Sequence, residues 1–198
     1  MTFQLRVDDE LSLVLLEPHL AEELYTLVDA NRDHLRAWLP WVDAQTSAED
    51  SKAFILNSLQ VFARREGVST GMLYKGQLVG TLGSHDHDNN VKSAEIGYWI
   101  NREFQGQGIV SRGCKALCRY LFEVRDLNRL MIRCATGNAK SCAIPERLGF
   151  IREGVLRQCA VGLGDAPSAP EILYDMVIYG LLRAEYDALP WARVKVSS

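Results

Sequence analysis

Two glycines that follow a predicted strand are the residues of this sequence best placed for chemistry. Gly106 and Gly108 lie in Q-G-Q-G, after the strand pattern of 94–100 and before a helical apolar stripe. Glycine lets the backbone turn sharply and approach a ligand closely. Free N–H groups at a helix start, together with the helix dipole, bind anions. The segment therefore predicts a cradle for a pyrophosphate.

Two other interpretations of this segment stay open on the glycines alone. A dinucleotide-binding G-x-G-x-x-G would begin at Gly106 and Gly108, but its third glycine would fall where the chain has Ser111. The chain also shows one convincing strand–loop–helix unit, not the series that a dinucleotide fold requires. The remaining alternative is a loop that needs glycine only to turn.

The surrounding elements form a mixed α/β pattern that must position the cradle. Ser47 is a fair N-cap for a helix, Lys75-Gly76 predicts a hairpin, and Gly149 ends a short helix. In the strand 94–100, Glu95, Gly97 and Trp99 alternate onto one face. Strand patterns cover 11–16, 68–74, 77–82, 94–100, 129–135, 154–161 and 172–182, and helical patterns cover 18–28, 47–65, 109–124 and 138–148.

Two connections carry polar or turn-forming residues. Residues 84–90 are expected to form a polar loop, and 162–170 a turn-rich connection. The first includes H-D-H-D, which resembles a metal-binding run. A solvated loop explains it more simply, because the two histidines would lie on opposite sides of an extended chain. No metal site is predicted.

Composition and charge restrict the class of protein. The chain has 198 residues, 47% hydrophobic and 24% charged, with a formal net charge of −3, which fits a single globular domain over 1–198. It lacks the basic patch of a nucleic-acid binder and any apolar run long enough for a membrane span. Five cysteines without C-x-x-C spacing, and no visible signal peptide, favour a reduced, cytoplasmic location.

Four spaced segments, in order, resemble the GNAT acyltransferases. Residues 105–110, Q-G-Q-G-I-V, are similar to the coenzyme A signature (Q/R)-x-x-G-x-(G/A), with Val110 replacing the usual small residue. Residues 138–141 match N-x-x-S, and 146–154 resemble E-x-L-G-F-x-x-E-G. Residues 35–41, L-R-A-W-L-P-W, are similar to the L-x-x-W-L-x-W of the RimJ/RimL-type subgroup, which acetylates ribosomal protein N-termini.

This resemblance implies a fold, a cosubstrate and a coenzyme site. The fold is a twisted, mixed, mostly antiparallel α/β sheet with helices on both faces, splayed between its fourth and fifth strands. The gap would admit the pantetheine arm of acetyl-CoA, and a homodimer is a common assembly in the family. Residues implied to contact the arm are Trp99, Ile100, Asn101 and Asn138, and those implied on the pyrophosphate are Gln105, Gly106, Gln107, Gly108, Ile109, Val110 and Ser111.

Acetyl transfer to an amine also needs a proton donor for the thiolate and a base for the amine. Ser141 is the donor candidate; the alternatives for Asn138 and Ser141 are a helix N-cap and a surface hydroxyl. Glu95 is the base candidate, and a salt-bridged strand glutamate is its alternative. RimL-type enzymes carry an acidic residue near the segment that matches 159–161, where this chain has C-A-V.

The acceptor is the least determined part of the prediction. Trp38 and Trp41 are candidates for its binding site, as the subgroup resemblance implies, although aromatic residues near helix ends also form ordinary core. The expected acceptor is a primary amine, at a protein N-terminus of the ribosomal type. The alternatives are a small-molecule amine or antibiotic, and a non-catalytic acyl-CoA-binding module.

Overall fold

The eight strands in the described part of the chain join one sheet. A computed structural model describes residues 3–163 and 171–192, so most of the expected turn-rich connection lies outside the described residues. The strands are β1 Gln4–Arg6, β2 Leu11–Leu15, β3 Val68–Tyr74, β4 Gln77–Asp88, β5 Ser93–Ile100, β6 Arg129–Ala135, β7 Ile151–Gly162 and β8 Ile172–Leu182. Their order is β1-β2-β3-β4-β5-β6-β8-β7, and only β5 and β6 run parallel. The mixed, mostly antiparallel α/β sheet is confirmed.

Helices cover both faces of the sheet. They are α1 Ala21–Ala30, α2 Arg32–Arg36, α3 Ala48–Ala63, α4 Ile109–Arg119, α5 Ala139–Leu148 and α6 Arg183–Ala188. One apolar cluster joins α4 to Ala94 and Ile96 of β5, and a second joins α1 and α3 to Trp99. The predicted alternation of β5 side chains is therefore confirmed. No helix in the described ranges has the length and apolar character needed to cross a bilayer.

Local sequence signals position several of these elements as expected. The Ser47 hydroxyl accepts the Asp50 N–H at the start of α3, at 3.2 Å. Lys75 and Gly76 have φ of +51° and +82° in the β3–β4 hairpin. Gly149 has φ of +86° after α5, a conformation that glycine adopts without the cost of a Cβ clash.

The expected polar loop at 84–90 is wrong over most of its length. β4 continues to Asp88, and His85 pairs with Glu95 of β5. The register shifts between His85 and Asp88, and Asp86 has φ of +51°. Pairing satisfies the backbone of this segment, while the side chains of His85, Asp86 and Asp88 remain exposed at the end of the strand.

The apolar stripe predicted along 109–124 is also wrong at its C-terminal end. Tyr120–Val124 forms a π turn after α4, and the wider turn changes which side chains face the sheet. Phe122 is fully buried and stacks on Tyr186, whereas Val124 is 66% exposed. A regular α-helical period would have placed Val124 inward.

The strands β5 and β6 part after three paired positions. Ser93, Ala94 and Glu95 pair with Arg129, Leu130 and Met131 respectively, which ends the ladder between the two strands. Beyond that point β5 remains paired to β4, and β6 remains paired to β8. The predicted splay is therefore present; it lies between the fifth and sixth strands because β1 was not expected.

The π turn generates a test of stability. Phe122→Ala removes a buried ring and is expected to lower the free energy of unfolding by about 3–5 kcal/mol. Val124→Ala is expected to change it by less than about 0.5 kcal/mol, because the side chain is exposed. Urea unfolding of both variants measures the difference; comparable losses would contradict the π turn.

Candidate active site

The amide groups of β5 alternate between β4 and the gap. The Asn101 N–H donates to the Val79 carbonyl of β4 at 2.8 Å. The Lys92 carbonyl, before β5, accepts the Arg129 N–H of β6 at 3.2 Å. Because the N–H and C=O of a strand residue point the same way and alternate along the chain, even-numbered residues of β5 face β6.

The three residues at the end of β5 that are predicted to contact the pantetheine arm consequently differ in which way their backbone groups point. Ile100, like Tyr98, turns its backbone groups toward the gap, where β6 no longer pairs with β5. Trp99 and Asn101 turn theirs toward β4, and the Asn101 amide is already used there. The Asn101 side chain accepts the Glu103 N–H at 3.0 Å, which begins the short 3₁₀ helix Arg102–Phe104. Any backbone contact at these three positions falls to Ile100.

The glycine segment leaves open space beside its backbone at the start of α4. Gly106 and Gly108 have φ of +76° and +73°, and no heavy atom lies within 4 Å of where a Cβ of either would be. Residues other than glycine are strained at such φ angles. Gly108 is the N-cap of α4, no side chain caps the helix, and its first turn has no acidic residue. The amides of Ile109, Val110 and Ser111 therefore lie at an uncapped, electropositive helix end.

Polar contacts fix the loop around this helix end. Lys140 Nζ donates to Gln105 Oε1 at 2.8 Å, which ties the loop to the start of α5. Gln107 Nε2 donates to the Glu103 carbonyl at 3.1 Å. Arg147 Nη1 donates to the hydroxyl of Ser111 at 3.0 Å. Two cationic side chains thus lie beside the amides predicted to hold a diphosphate.

Asn138 acts as the N-cap of α5 in this structure. Its side-chain oxygen accepts the Ser141 N–H at 3.1 Å. This is the helix N-cap that the sequence offers as the alternative to coenzyme binding. The Ser141 hydroxyl lies 3.2 Å from Cys134 Sγ and 3.4 Å from the Tyr98 hydroxyl. The predicted proton donor is therefore beside the gap, at the face that β5 shares with α4.

Tyr98 and Cys134 are neighbours of Ser141 that the sequence motifs did not reveal. The Tyr98 hydroxyl donates to the Ser141 carbonyl at 3.1 Å. Burial raises the pKa of Tyr98 above its ordinary range and raises the pKa of Cys134 to about 11. Both groups are neutral near pH 7, so the Ser141 hydroxyl lies among uncharged side chains.

Glu95 lies where β5 and β6 separate. It is 7% exposed, and its Oε2 is 2.7 Å from Nε of Arg133 on β6. The hydrogen bond to Glu95 is the first cause that raises the pKa of Arg133. The salt-bridged form considered from the sequence is the one present.

The two candidate acceptor tryptophans stand on opposite sides of the gap. Trp41 contacts Trp99 of β5, with ring centroids 6.2 Å apart. Trp38 contacts Tyr174 of β8 at 5.2 Å and lies over Gly137, after β6. The structure thus brings both rings to the face of the sheet opposite Ser141.

Ionic contacts hold the turn that carries these tryptophans. Arg36, 4% exposed, makes two-pronged contacts of 2.7–2.9 Å with Asp43. Its hydrogen bond is the first cause that lowers the pKa of Asp43. Arg32 donates to the carbonyls of Val42 and Gln45. The turn is therefore anchored by side chains to α2 and its N-terminus.

His34 of α2 is a further residue near the end of β5, and no sequence motif signals it. Its ring lies near the Ile100 backbone, and burial is the first cause that lowers the pKa of His34. Asn31, just before α2, accepts the Arg102 N–H at 2.9 Å through Oδ1. These contacts attach α2 directly to the end of β5, a relation between distant segments that no local pattern signals.

Comparison with known proteins identifies the family to which this chain belongs. The family model described as "Acetyltransferase (GNAT) domain" matches residues 10–151. The chain therefore belongs to the GNAT acetyltransferase family and is an N-acetyltransferase of the RimL/RimJ type by its relatives.

Particular relatives are similar over nearly the whole chain. YdaF of Bacillus subtilis (strain 168) is 37% identical, over 93% of this chain and 98% of its own length. The ribosomal-protein-serine acetyltransferase of Escherichia coli (strain K12) is 31% identical, over 84% and 92%. The solved microcin C7 self immunity acetyltransferase MccE, in complex with acetyl-CoA and AMP, is 30% identical, with a TM-score of 0.82 over 89% and 94%.

The cradle generates a test with a matched control. Gly108→Ala is expected to weaken coenzyme A binding by about tenfold or more, because the strained residue displaces amides at the helix end. Gly76→Ala adds a methyl at a similar φ, also into open space, but in the β3–β4 hairpin. It should lose comparable stability and keep its affinity in calorimetry. Equal affinities for the two variants would remove the cradle from coenzyme binding.

Proposed function

We propose that this enzyme moves the acetyl group of acetyl-CoA onto the N-terminal amine of a protein, of the ribosomal-protein type. The observation that carries the proposal is the parting of β5 from β6 directly before an uncapped helix end. The relatives named above favour the same donor and acceptor class.

The coenzyme lies along β5 in this proposal. Its diphosphate accepts from the amides of 105–111, with Lys140 and Arg147 nearby. Its pantetheine amides pair with the backbone of Ile100 and Tyr98, in place of the strand that β6 no longer supplies. Asn138 remains the cap of α5, and its Nδ2 is the atom left to reach the arm.

Ser141 is proposed to protonate the departing thiolate. Its hydroxyl lies on the coenzyme face and donates to the neutral Tyr98 hydroxyl and Cys134 Sγ, which orient it. Collapse of the tetrahedral intermediate breaks the C–S bond, and a proton placed near sulfur at that moment lowers the barrier.

The acceptor is proposed to enter from the opposite face, between Trp38 and Trp41. The amine must lose a proton before it attacks the thioester carbonyl. Glu95 lies at this entrance, but Arg133 already pairs with it. We propose that Glu95 shapes the entrance through its pair with Arg133. The Glu95→Gln variant tests whether Glu95 is also the base.

A small-molecule acceptor is the second candidate function. The similarity to MccE, a self immunity acetyltransferase for microcin C7, supports it. A non-catalytic acyl-CoA-binding module would keep the cradle and show no transfer. Release of the coenzyme thiol in the presence of an amine separates that module from both enzymes.

The proton donor is tested by Ser141→Ala. The variant is expected to lose about 10²–10⁴-fold in kcat, because the thiolate then leaves without its donor. Affinity for acetyl-CoA should stay within about twofold, since the proposed diphosphate contacts are intact. Ser58→Ala, at a buried serine of α3, is the control and should keep its rate. An unchanged kcat in Ser141→Ala would exclude Ser141 from the mechanism.

The acceptor class is tested by a direct competition. Thiol release is measured with peptides that begin with serine or alanine, with polyamines and with aminoacyl nucleotides. Ribosomal proteins treated with enzyme and acetyl-CoA are analysed by mass spectrometry for N-terminal acetylation. Peptides are expected to give the higher kcat/KM; transfer only to the small molecules would establish the second candidate.

A further inference from the structure

The ring of His85 lies over Gly97 at the entrance to the gap. His85 Nε2 is 3.2 Å, and Cδ2 3.7 Å, from where a Cβ of Gly97 would be. His85 also pairs across the sheet with Glu95, the last residue of β5 that pairs with β6. The imidazole therefore occupies the face of β5 that carries Trp99, two residues beyond the closed end of the gap.

Asp86 holds this ring from its own strand. Adjacent side chains of a regular strand point to opposite faces, but Asp86 has φ of +51° next to the register shift in β4. Its Oδ2 consequently lies 3.2 Å from His85 Nδ1. A carboxylate at Nδ1 accepts the proton there, which leaves Nε2 with a lone pair.

The neighbouring titratable groups are committed to other partners. Arg133 of β6 pairs with Glu95, so its guanidinium already has a carboxylate partner within the protein. His87 Nε2 is 2.9 Å from the Ser84 hydroxyl, and burial lowers the pKa of His87 to about 4. A ring with so low a pKa is a weak proton acceptor near pH 7.

The closed end of the gap decides where the reaction takes place. A pantetheine arm that follows β5 from the cradle at Gly108 cannot pass Glu95, because β6 is paired there. Its thioester end therefore comes to the level of Gly97, beneath the His85 ring. Ser141 lies on the α4 side of the sheet, so a donor for sulfur and an acceptor for the amine proton would approach from opposite faces.

We propose that His85, oriented by Asp86, is the general base that deprotonates the acceptor amine, an inference that rests on the proposed function. The ammonium gives one proton to Nε2, and the neutral amine forms a C–N bond with the thioester carbonyl. The nitrogen then loses its second proton to solvent, the C–S bond breaks, and Ser141 passes its hydroxyl proton to sulfur and regains a proton from solvent. His85 finally releases its proton to water, which balances the transfer.

The experiment measures thiol release with acetyl-CoA and a serine-initiated peptide between pH 5.5 and 9. His85→Gln is expected to lower kcat about 100-fold at pH 7 and to abolish the fall in rate toward low pH, because no imidazole remains to be protonated. Asp86→Asn should lower kcat by a smaller factor than His85→Gln and should shift the pH at which the rate falls. The charged groups around the ring that can also move the profile are Asp86, Glu95, Arg133 and His87.

His19→Gln is the matched control. His19 is 69% exposed, lies in the 3₁₀ turn Pro18–Leu20, and has its own carboxylate, Glu17 Oε2, 3.5 Å from Nδ1. It should keep both the rate and the profile. Calorimetry with coenzyme A shows that the cradle is intact in each variant, with an affinity within about twofold of wild type.

Two results overturn the assignment of His85 alone. One is a wild-type rate and profile in His85→Gln. The other is loss of the low-pH limb in Glu95→Gln while His85→Gln retains it, which would make Glu95 the base. A wild-type enzyme that binds coenzyme A but acetylates no peptide or small amine would overturn the proposed function, and His85 with it.

Discussion

The gap between β5 and β6 is the constraint on which the rest of the molecule depends. A buried strand edge whose N–H and C=O groups have no partner is costly, so such an edge persists only where something else can satisfy it. Pairing ends at Glu95 and Met131, and each strand is held on its outer side by another strand. The sheet is thereby rigid on both sides of an opening of fixed position.

The opening divides the proposed chemistry between two faces. The α4 face carries the helix end, the side chains of Lys140 and Arg147, and the hydroxyl of Ser141. The other face carries His85, Glu95 and the tryptophans. Even-numbered and odd-numbered residues of a single strand therefore serve the donor and the acceptor separately, as the two-residue period of a strand requires.

Charge is distributed in keeping with this division. Lys140 and Arg147 border the helix end where a diphosphate is proposed to bind, and the first turn of α4 has no acidic residue to oppose the field of the uncapped amides. On the acceptor face, Arg133 and Glu95 neutralise one another, and Arg36 and Asp43 anchor the turn that carries Trp41. These pairs position side chains; His85 is the group at this face that is proposed to take the amine proton.

The sequence by itself predicted the family, the positions of most strands along the chain and the glycines that begin and end helices, because each rests on short local motifs. Gly106, Gly108 and Gly149 require backbone angles that favour glycine, so their types are visible locally. Only the tertiary structure decided the partners of Glu95 and Ser141, the extension of β4 through His85, and the exposure of Val124. Those outcomes depend on pairing between segments far apart in sequence and on a π turn that breaks the helical period, and neither leaves a periodic signal in the residues themselves.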